Sequence, residues 1–520
     1  MSPFSGDIND RMNKYRPYLN KYTTKTQENQ YQQRKIMSAH QKKVETAKIT
    51  RDMTQGNPYG HMVAFAMPVL LSQIFQQLYN TADTFIVGKF LGTDALAAVS
   101  SSGTLIFLLI SFFMGTSMGA GVVISRYFGA RDADNISRAV HTNIAFGLVS
   151  SVILTVFGVA FTPTFLRWMK TDPSVLPQAT EYFRYYFLGA TAMIMYNVCR
   201  GIMNAVGDSR RPLYYLIFSS VLNVGLDVLF VGAFKWGVWS AAVATVISQA
   251  ASVVLCCIQL MKKGQIYSVS LRKIRFHKDM MIEIVRYGLP SGIQNSVIGF
   301  ANVIVQTQIN SFGKFATAGY GVHAKIEGFA FLPITSFNMA TTTFISQNLG
   351  AREFDRAKKG ARFGILAATI AAEVIGVLNY VFAPALVGFF DSTPEVLDLG
   401  VRQARTVALF YCLLAFSHAI AAICRGAGKA FVPMTIMLSV WCVFRIIYIE
   451  AVVHIFHDIS YIYWAYPITW GISSIIYMIY YKRSDWVHGF EHEQKSFFAR
   501  IAELFNRNKT APEIPEEEDN

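Results

Sequence analysis

Twelve apolar runs, each about 20 residues or longer, recur between residues 61 and 481. A segment of that length in hydrocarbon must satisfy its own backbone N–H and C=O groups, and the helix is the form that does so. The runs fall at roughly 61–89, 97–124, 139–163, 179–203, 213–233, 238–261, 281–311, 316–346, 361–389, 397–424, 434–456 and 461–481. Composition agrees: 52% of the 520 residues are hydrophobic and only 15% are charged, where a soluble domain carries about a quarter. The expectation is an all-α polytopic membrane protein with 12 transmembrane helices.

Loop charge sets the expected orientation, because Lys and Arg gather on the cytoplasmic side. One side holds Arg126, Arg131, Arg138, Arg210, Arg211, the stretch "KKGQIYSVSLRKIRFHK", "GAREFDRAKKGAR", Arg425, Lys429, Lys482 and Arg483. The other offers Lys89, Arg167, Lys170, Lys235 and Lys314. Both termini are therefore expected to be cytoplasmic, and topology alone explains the basic "GDSRRP" turn. The polar, basic residues 1–57 follow no signal-peptide pattern and read as a solvated tail, with contact to anionic lipid headgroups the sharper alternative. Near the other end, Phe497, Phe498, Ile501, Leu504 and Phe505 share one helical face, as in an interfacial amphipathic helix.

The chain matches itself at one fixed offset. "ISRYFGAR" at 124–131 recurs as "ISQNLGAR" at 345–352, a shift of 221; Pro173, Arg184, Gly207 and Pro212 fall on Pro394, Arg405, Gly428 and Pro433. An even number of spans per half gives both halves the same orientation, related by an axis along the membrane normal, as in transporters with parallel repeats. The organisation expected is a tail (1–57), an N-terminal six-helix bundle (58–262), a linker (263–280), a C-terminal six-helix bundle (281–483) and a second tail (484–520).

Ionisable groups inside spans are functional candidates, since each is costly unless paired or hydrated. Asp83 lies near the outer end of the first span and Asp227 near the outer end of the fifth, with Asn223 one turn earlier on the same face. Thr245 enters the sixth span to a similar depth. Two carboxylates, a carboxamide and a hydroxyl are hard oxygen donors suited to Na⁺ or a shared proton. The competing reading neutralises each acid by a buried hydrogen bond and makes Asn223 helix–helix glue. Against it, the positions 221 residues on from Asn223, Asp227 and Thr245 are Phe444, Tyr448 and Tyr466, and Asp83 falls on Ile304. Packing alone would more plausibly repeat the polar set in both halves.

Lys325 and Glu327 either pair locally or line the central cavity, and Arg445 and Glu450, five apart, need partners from other helices. Gln76, Tyr79, Gln294, Glu327 and Arg445 are the expected cavity-lining residues. Pro68 removes a backbone hydrogen bond from the first span and invites a kink. The six cysteines lie in or beside apolar segments without metal-ligand spacing and read as small buried hydrophobes. No HExxH, GxSxG or Ser/Lys pair stands out in a span, which disfavours a membrane enzyme.

Taken together, "MPVLLSQIFQQLYNTADTFIVGKFLG", the two "GAR" turns, "NAVGDSRRP", "RGAGKAFVP" and "LNVGLDVLF" resemble the multidrug and toxic compound extrusion (MATE) family over residues 57–485. The resemblance implies two six-helix bundles forming a V around a cleft, and efflux of cationic, often aromatic compounds against inward Na⁺ or H⁺. In the DinF-like branch the coupling ion sits in the N-terminal bundle; the matching residues here are Asp83, Asn223, Asp227 and Thr245, and Pro68 matches the proline proposed to bend the first helix. The NorM-like branch uses a glutamate in span seven, and here that span, "GLPSGIQNSVIGFANVIVQTQIN", has no acid. This departure favours the DinF-like or MepA-like bacterial arrangement. The expectation is then a monomeric antiporter of the bacterial cytoplasmic membrane, acting on small organic molecules, with Na⁺ or H⁺ as coupling ion, no other cofactor and no nucleic-acid partner. The alternative is a lipid-linked saccharide flippase of the same superfamily, which the scarcity of intramembrane Lys and Arg argues against.

Overall fold

Every apolar run is helical in the computed structural model, which describes residues 52–168, 171 and 173–490. The spans are α1 (Pro58–Leu91), α2 (Thr93–Gly129), α3 (Ala133–Trp168), α4 (Leu176–Leu188 and Ala190–Ala205), α5 (Arg210–Asp227, continued by a π-helical turn, Val228–Ala233) and α6 (Trp239–Leu260). The second half contains α7 (Lys278–Asn310), α8 (Lys314–Gly350), α9 (Phe354–Phe390), α10 (Pro394–Ala408 and Tyr411–Gly426), α11 (Phe431–Phe456, with a π-helical stretch at Leu438–Phe444) and α12 (Ser460–Arg483). The basic tail 1–51 and the amphipathic stretch at 497–505 lie outside the described residues.

Six spans (α1, α3, α5, α6, α9 and α11) are long and apolar enough to cross a membrane individually, and α10 joins them as a pair bent by 53°. Polar side chains on the remaining spans are placed against protein, as on α8. On α8, Ser336, Asn338, Thr341, Thr343, Ser346, Gln347 and Asn348 are all buried, so neighbouring helices take the place of solvent.

The repeat is written into the backbone. Left-handed residues pair at the same 221 offset: Gly92 (φ 88°) with Gly313 (96°), Arg131 (56°) with Arg352 (59°), and Gly207 (84°) with Gly428 (79°). The two "GAR" turns end their helices alike. Asp132 N–H reaches back to Tyr127 O at 3.1 Å, and Glu353 N–H to Asn348 O at 2.8 Å, each closing a helix terminus whose carbonyls would otherwise be orphaned. The π-helical stretches in α5 and α11 also fall in corresponding spans.

The halves meet on the side that carries the basic loops, called the basic face below. There α2 and α7 approach through two small-residue stripes, Gly115 and Gly119 against Gly292 and Gly288; a Cβ on Gly115, Gly119 or Gly288 would collide with backbone of the partner helix, as would one on Gly129 or Gly350 where α2 meets α8. Contrary to the sequence reading, residues 115–119 do spell Gly-x-Ser-x-Gly, but inside a continuous helix, where the strand-to-helix turn of a hydrolase nucleophile is lacking. The stripe is a packing device. A second seam joins α1 to α8: Thr335 Oγ1 donates to Gln73 Oε1 at 2.6 Å, and Gln73 Nε2 donates to Ser336 Oγ at 3.3 Å.

Burial follows this arrangement. One core, holding Met62, Phe128 and Ile202 of the first half with Tyr287, Phe344 and Ala361 of the second, spans both halves toward the basic face. Toward the opposite face the cores are separate: Ile86, Tyr182 and Val238 in one half, Ile309, Tyr411 and Trp470 in the other. Two bundles thus join at one end of the membrane and part at the other, which is the V-shaped two-bundle fold. Gly288→Val is expected to wedge α2 from α7, because its side chain meets the Thr116 backbone. Spin labels at the exposed positions Asp134 and Lys358 should then report a longer distance population than in the parent; an unchanged distance distribution would show that the glycine contact does not hold the seam.

Candidate functional site

Three helices of the N-terminal half bring the predicted polar set together. Asp83 sits eight residues before the end of α1, Asp227 is the last residue of α5 before the π-helical turn, and Thr245 lies six residues into α6. At about 1.5 Å per residue, all three lie roughly 9–12 Å from the same end of their helices. Asn223 stands one turn before Asp227, on the side of α5 that packs on α1 and α6.

The four side chains are buried: Asp83 is 8% exposed, Asn223 1%, Asp227 0% and Thr245 4%. The Asp83 and Asp227 carboxyl groups face each other within hydrogen-bonding reach. Asn223 Nδ2 donates to Thr245 Oγ1 at 3.4 Å, which leaves its carbonyl oxygen free to serve as an acceptor. Among the described residues, no protein donor reaches Asp83 Oδ1, Asn223 Oδ1 or either oxygen of Asp227. Four acceptor oxygens are therefore gathered away from water without a donor, an arrangement costly as it stands. Two facing carboxylates cannot both stay charged at low cost without a counter-charge, which a shared proton or a cation would supply. The oxygens present suit either: a proton bridges the carboxyls, and a hard cation such as Na⁺ accepts carboxylate, carboxamide and hydroxyl oxygens.

Around this set lies a shell of which sequence reading named only Tyr79, as a cavity-lining residue, and missed the rest. Tyr79, one turn before Asp83, contacts the Gln249 side chain through its hydroxyl, and Gln249 is buried one turn beyond Thr245. Tyr182 and Tyr186 of α4, their rings 6.0 Å apart, stand beside Asp83. The signals were present as i,i+4 spacings, Thr245/Gln249 and Tyr182/Tyr186, but both read equally as core packing.

The other expected residues disperse. Pro68 lies inside the continuous α1, and its carbonyl accepts Ser72 Oγ at 2.8 Å. Gln76 and Glu327 are half-buried. Gln294 is buried, its amide against Met437 Sδ. Lys325 forms no ion pair with Glu327; its Nζ lies 5.6 Å from the Phe390 ring. Arg445 and Glu450 do find partners on other helices: Arg445 donates to Thr469 Oγ1 at 2.7 and 3.2 Å, and Glu450 accepts from Gln308 at 2.7 Å. The Arg445 guanidinium lies 4.6 Å over the Tyr466 ring, and Tyr466 is the repeat counterpart of Thr245. Where the first half leaves oxygens unmatched, the second carries its own cation and an aromatic ring. All six cysteines are free thiols.

A family model described as MatE matches residues 68–229 and 290–449. The probable multidrug resistance protein YoeA of Bacillus subtilis is 31% identical over 401 residues, covering 76% of this chain and 87% of that protein. The multidrug export protein MepA of Staphylococcus aureus is 22% identical, covering 65% of this chain and 75% of its own length. Among solved structures, a MOP-superfamily transporter from Pyrococcus furiosus superposes with a TM-score of 0.79 at 23% identity, over 84% of this chain and 97% of that one. A multidrug resistance MATE family transporter in an outward-facing conformation gives 0.78 at 23%, with the same coverage.

A structural hydrogen bond between two buried carboxyls and a pair of acids built to receive a cation respond oppositely to neutralisation. Breaking a structural hydrogen bond leaves a buried polar group unmatched and destabilises. Asp227→Asn removes one of two like charges, so the melting temperature of the purified protein is expected to hold or rise. A fall of several degrees would mark the pair as structural.

Proposed function

We propose that this chain, which belongs to the MatE family, exports small organic compounds by antiport, driven by Na⁺ or H⁺ bound at Asp83, Asn223, Asp227 and Thr245. The observation that carries this reading is the cluster of four buried acceptor oxygens without a protein donor, in a fold whose halves part on one side of the membrane only. Relatives named as multidrug resistance and export proteins support the substrate class, and the loop charge supports a cytoplasmic basic face in a bacterial cytoplasmic membrane.

In the conformation seen here the basic face is sealed, so the cleft between the bundles opens to the outside. An ion arriving from that side meets the outer third of α1, α5 and α6. Asp83 and Asp227 take its charge, Asn223 Oδ1 and Thr245 Oγ1 complete the oxygen set, and Tyr79, Tyr182 and Tyr186 restrict water. Filling the gap draws α1 toward α5. Pro68, which lacks a backbone donor, gives α1 a compliant point fifteen residues away on the same helix. The ion drives transport because it binds one arrangement of α1 better than the other. Organic substrate occupies the cleft, leaves outward as the ion binds, and the empty protein rocks back.

Asp83→Asn and Asp227→Asn are each expected to abolish gradient-driven efflux of a fluorescent organic cation from proteoliposomes while leaving expression intact. Running the assay under separate Na⁺ and pH gradients identifies the coupling ion. Full transport by both variants under both gradients would overturn the assignment.

A further inference from the structure

The residues just before α1 are bound more heavily to the opposite half than to their own. Residues 52–56 continue directly into α1, a helix of the N-terminal half, yet five hydrogen bonds tie them to α8 and α9. Arg356 supplies three: Nε to Met53 O at 3.0 Å, Nη2 to Gln55 O at 2.8 Å and Nη1 to Gly56 O at 2.6 Å. Met53 N–H donates to Gln347 Oε1 at 3.2 Å, and Asn348 Nδ2 donates to Met53 O at 3.3 Å. The Met53 side chain is fully buried in the core that spans both halves.

Local chemistry shapes the segment for this seat. Asp52 Oδ1 accepts from both Thr54 N and Thr54 Oγ1, closing a turn. Gly56 takes φ 71°, and a Cβ there would run into the His61 ring; a side chain is disfavoured on both counts. Asn57 then caps α1 by accepting from Tyr59 N and Gly60 N. The segment also reaches back to its own half, since Asp52 Oδ2 lies 3.3 Å from Arg131 Nη2, at the end of α2. Gln347 completes the crossing, its Nε2 donating to Ala205 O at the end of α4 at 2.8 Å.

We infer that residues 52–56 are a latch that holds the two halves together on the basic face, with Arg356 as the residue that positions it. This deepens the alternating-access reading above and rests on it. A plain helix cap would bind α1 to its own bundle. Here a strap belonging to one bundle is gripped by a guanidinium of the other, through charge-assisted bonds to three carbonyls. When the halves part on the basic face, α1 moves with the N-terminal half while Arg356 stays with α9, so all three bonds must break and the Met53 side chain must leave the shared core. The latch therefore weights the equilibrium toward the conformation closed on the basic face, without touching the ion or the substrate. Arg356 is a positioning residue, four residues beyond the "GAR" turn that both halves share: its counterpart 221 residues earlier is Asn135, so only one half carries the grip.

Hydrogen–deuterium exchange of the full-length protein in nanodiscs, without ion gradient or substrate, tests this apart from transport. In Arg356→Ala, amides near the basic-face ends of α2, α7 and α8 are expected to exchange at least about tenfold faster, the effect of losing charged hydrogen bonds. Amides at the opposite ends of α1, α2, α7 and α8 should become more protected as the outer cleft closes. Asp52→Ala should move both regions in the same senses by a smaller factor and serves if Arg356→Ala fails to fold. Lys358→Ala, which removes only an exposed pair with Asp355 on the same helix, should leave both regions unchanged. Faster exchange at both ends of the helices, or no change at either, would overturn the latch. Loss of transport in the Asp83 and Asp227 variants bears on the ion site alone, so the two ideas fail independently.

Discussion

Hydrocarbon gives no solvent to an unmatched polar group, and that one constraint organises this molecule. Backbone groups of the described spans are closed within helices, polar side chains collect where helices meet, and the two halves seal through glycine stripes and buried hydroxyls. Against that background the Asp83–Asp227 contact stands out as two acids brought face to face. Two carboxyl groups face each other with Asn223 and Thr245 alongside, and four oxygens are left without a donor. Single buried polar atoms without a partner occur elsewhere, as at Asn204, Asn338 and Asn379, but here several acceptors from two helices, two carboxyls among them, point into one gap.

The two repeats solve the same place in the fold differently. In the first half the corresponding helices present acids, an amide and a hydroxyl; in the second they present Phe444, Tyr448 and Tyr466, with Arg445 seated over the Tyr466 ring and bound to Thr469. The first half gathers acceptor oxygens, and the second seats a guanidinium at the corresponding place. Under the antiport proposed above, ion occupancy would act on α1 and α5. The strap at 52–56 follows the same logic, because Arg356 grips it from the C-terminal half and Asn135 offers no equivalent grip.

Much of this was legible in the chain. Hydrocarbon-length runs located all twelve spans, and the 221 offset foretold paired left-handed turns such as Arg131 with Arg352. Asp83, Asn223, Asp227 and Thr245 could be grouped by depth alone, because helix rise converts position into height. What stayed hidden depends on rotation and on partners far along the chain. Gln249 and Tyr182 stand in for core residues in any periodicity argument, and only the packing of α4 and α6 on α1 brings them to the acids. Gln294 looked free to face the cleft and instead packs on Met437, since its side of α7 turns toward α11. Lys325 and Glu327 are too close in sequence to meet on a helix face and do not pair. Arg356 read as one basic residue among several in a loop-end run, and nothing local marks three backbone carbonyls as its partners.

The central claim is that the paired carboxyls receive a cation, and their own vibrations report on it most directly. Infrared difference spectra of the reconstituted protein, with and without Na⁺ and across a change of pH, should show carboxyl bands shifting in response to one of the two. Those bands should vanish in the Asp83→Asn, Asp227→Asn double variant. Difference bands of the same position and size in the double variant would mean that the ion binds elsewhere and that the account of this site is wrong.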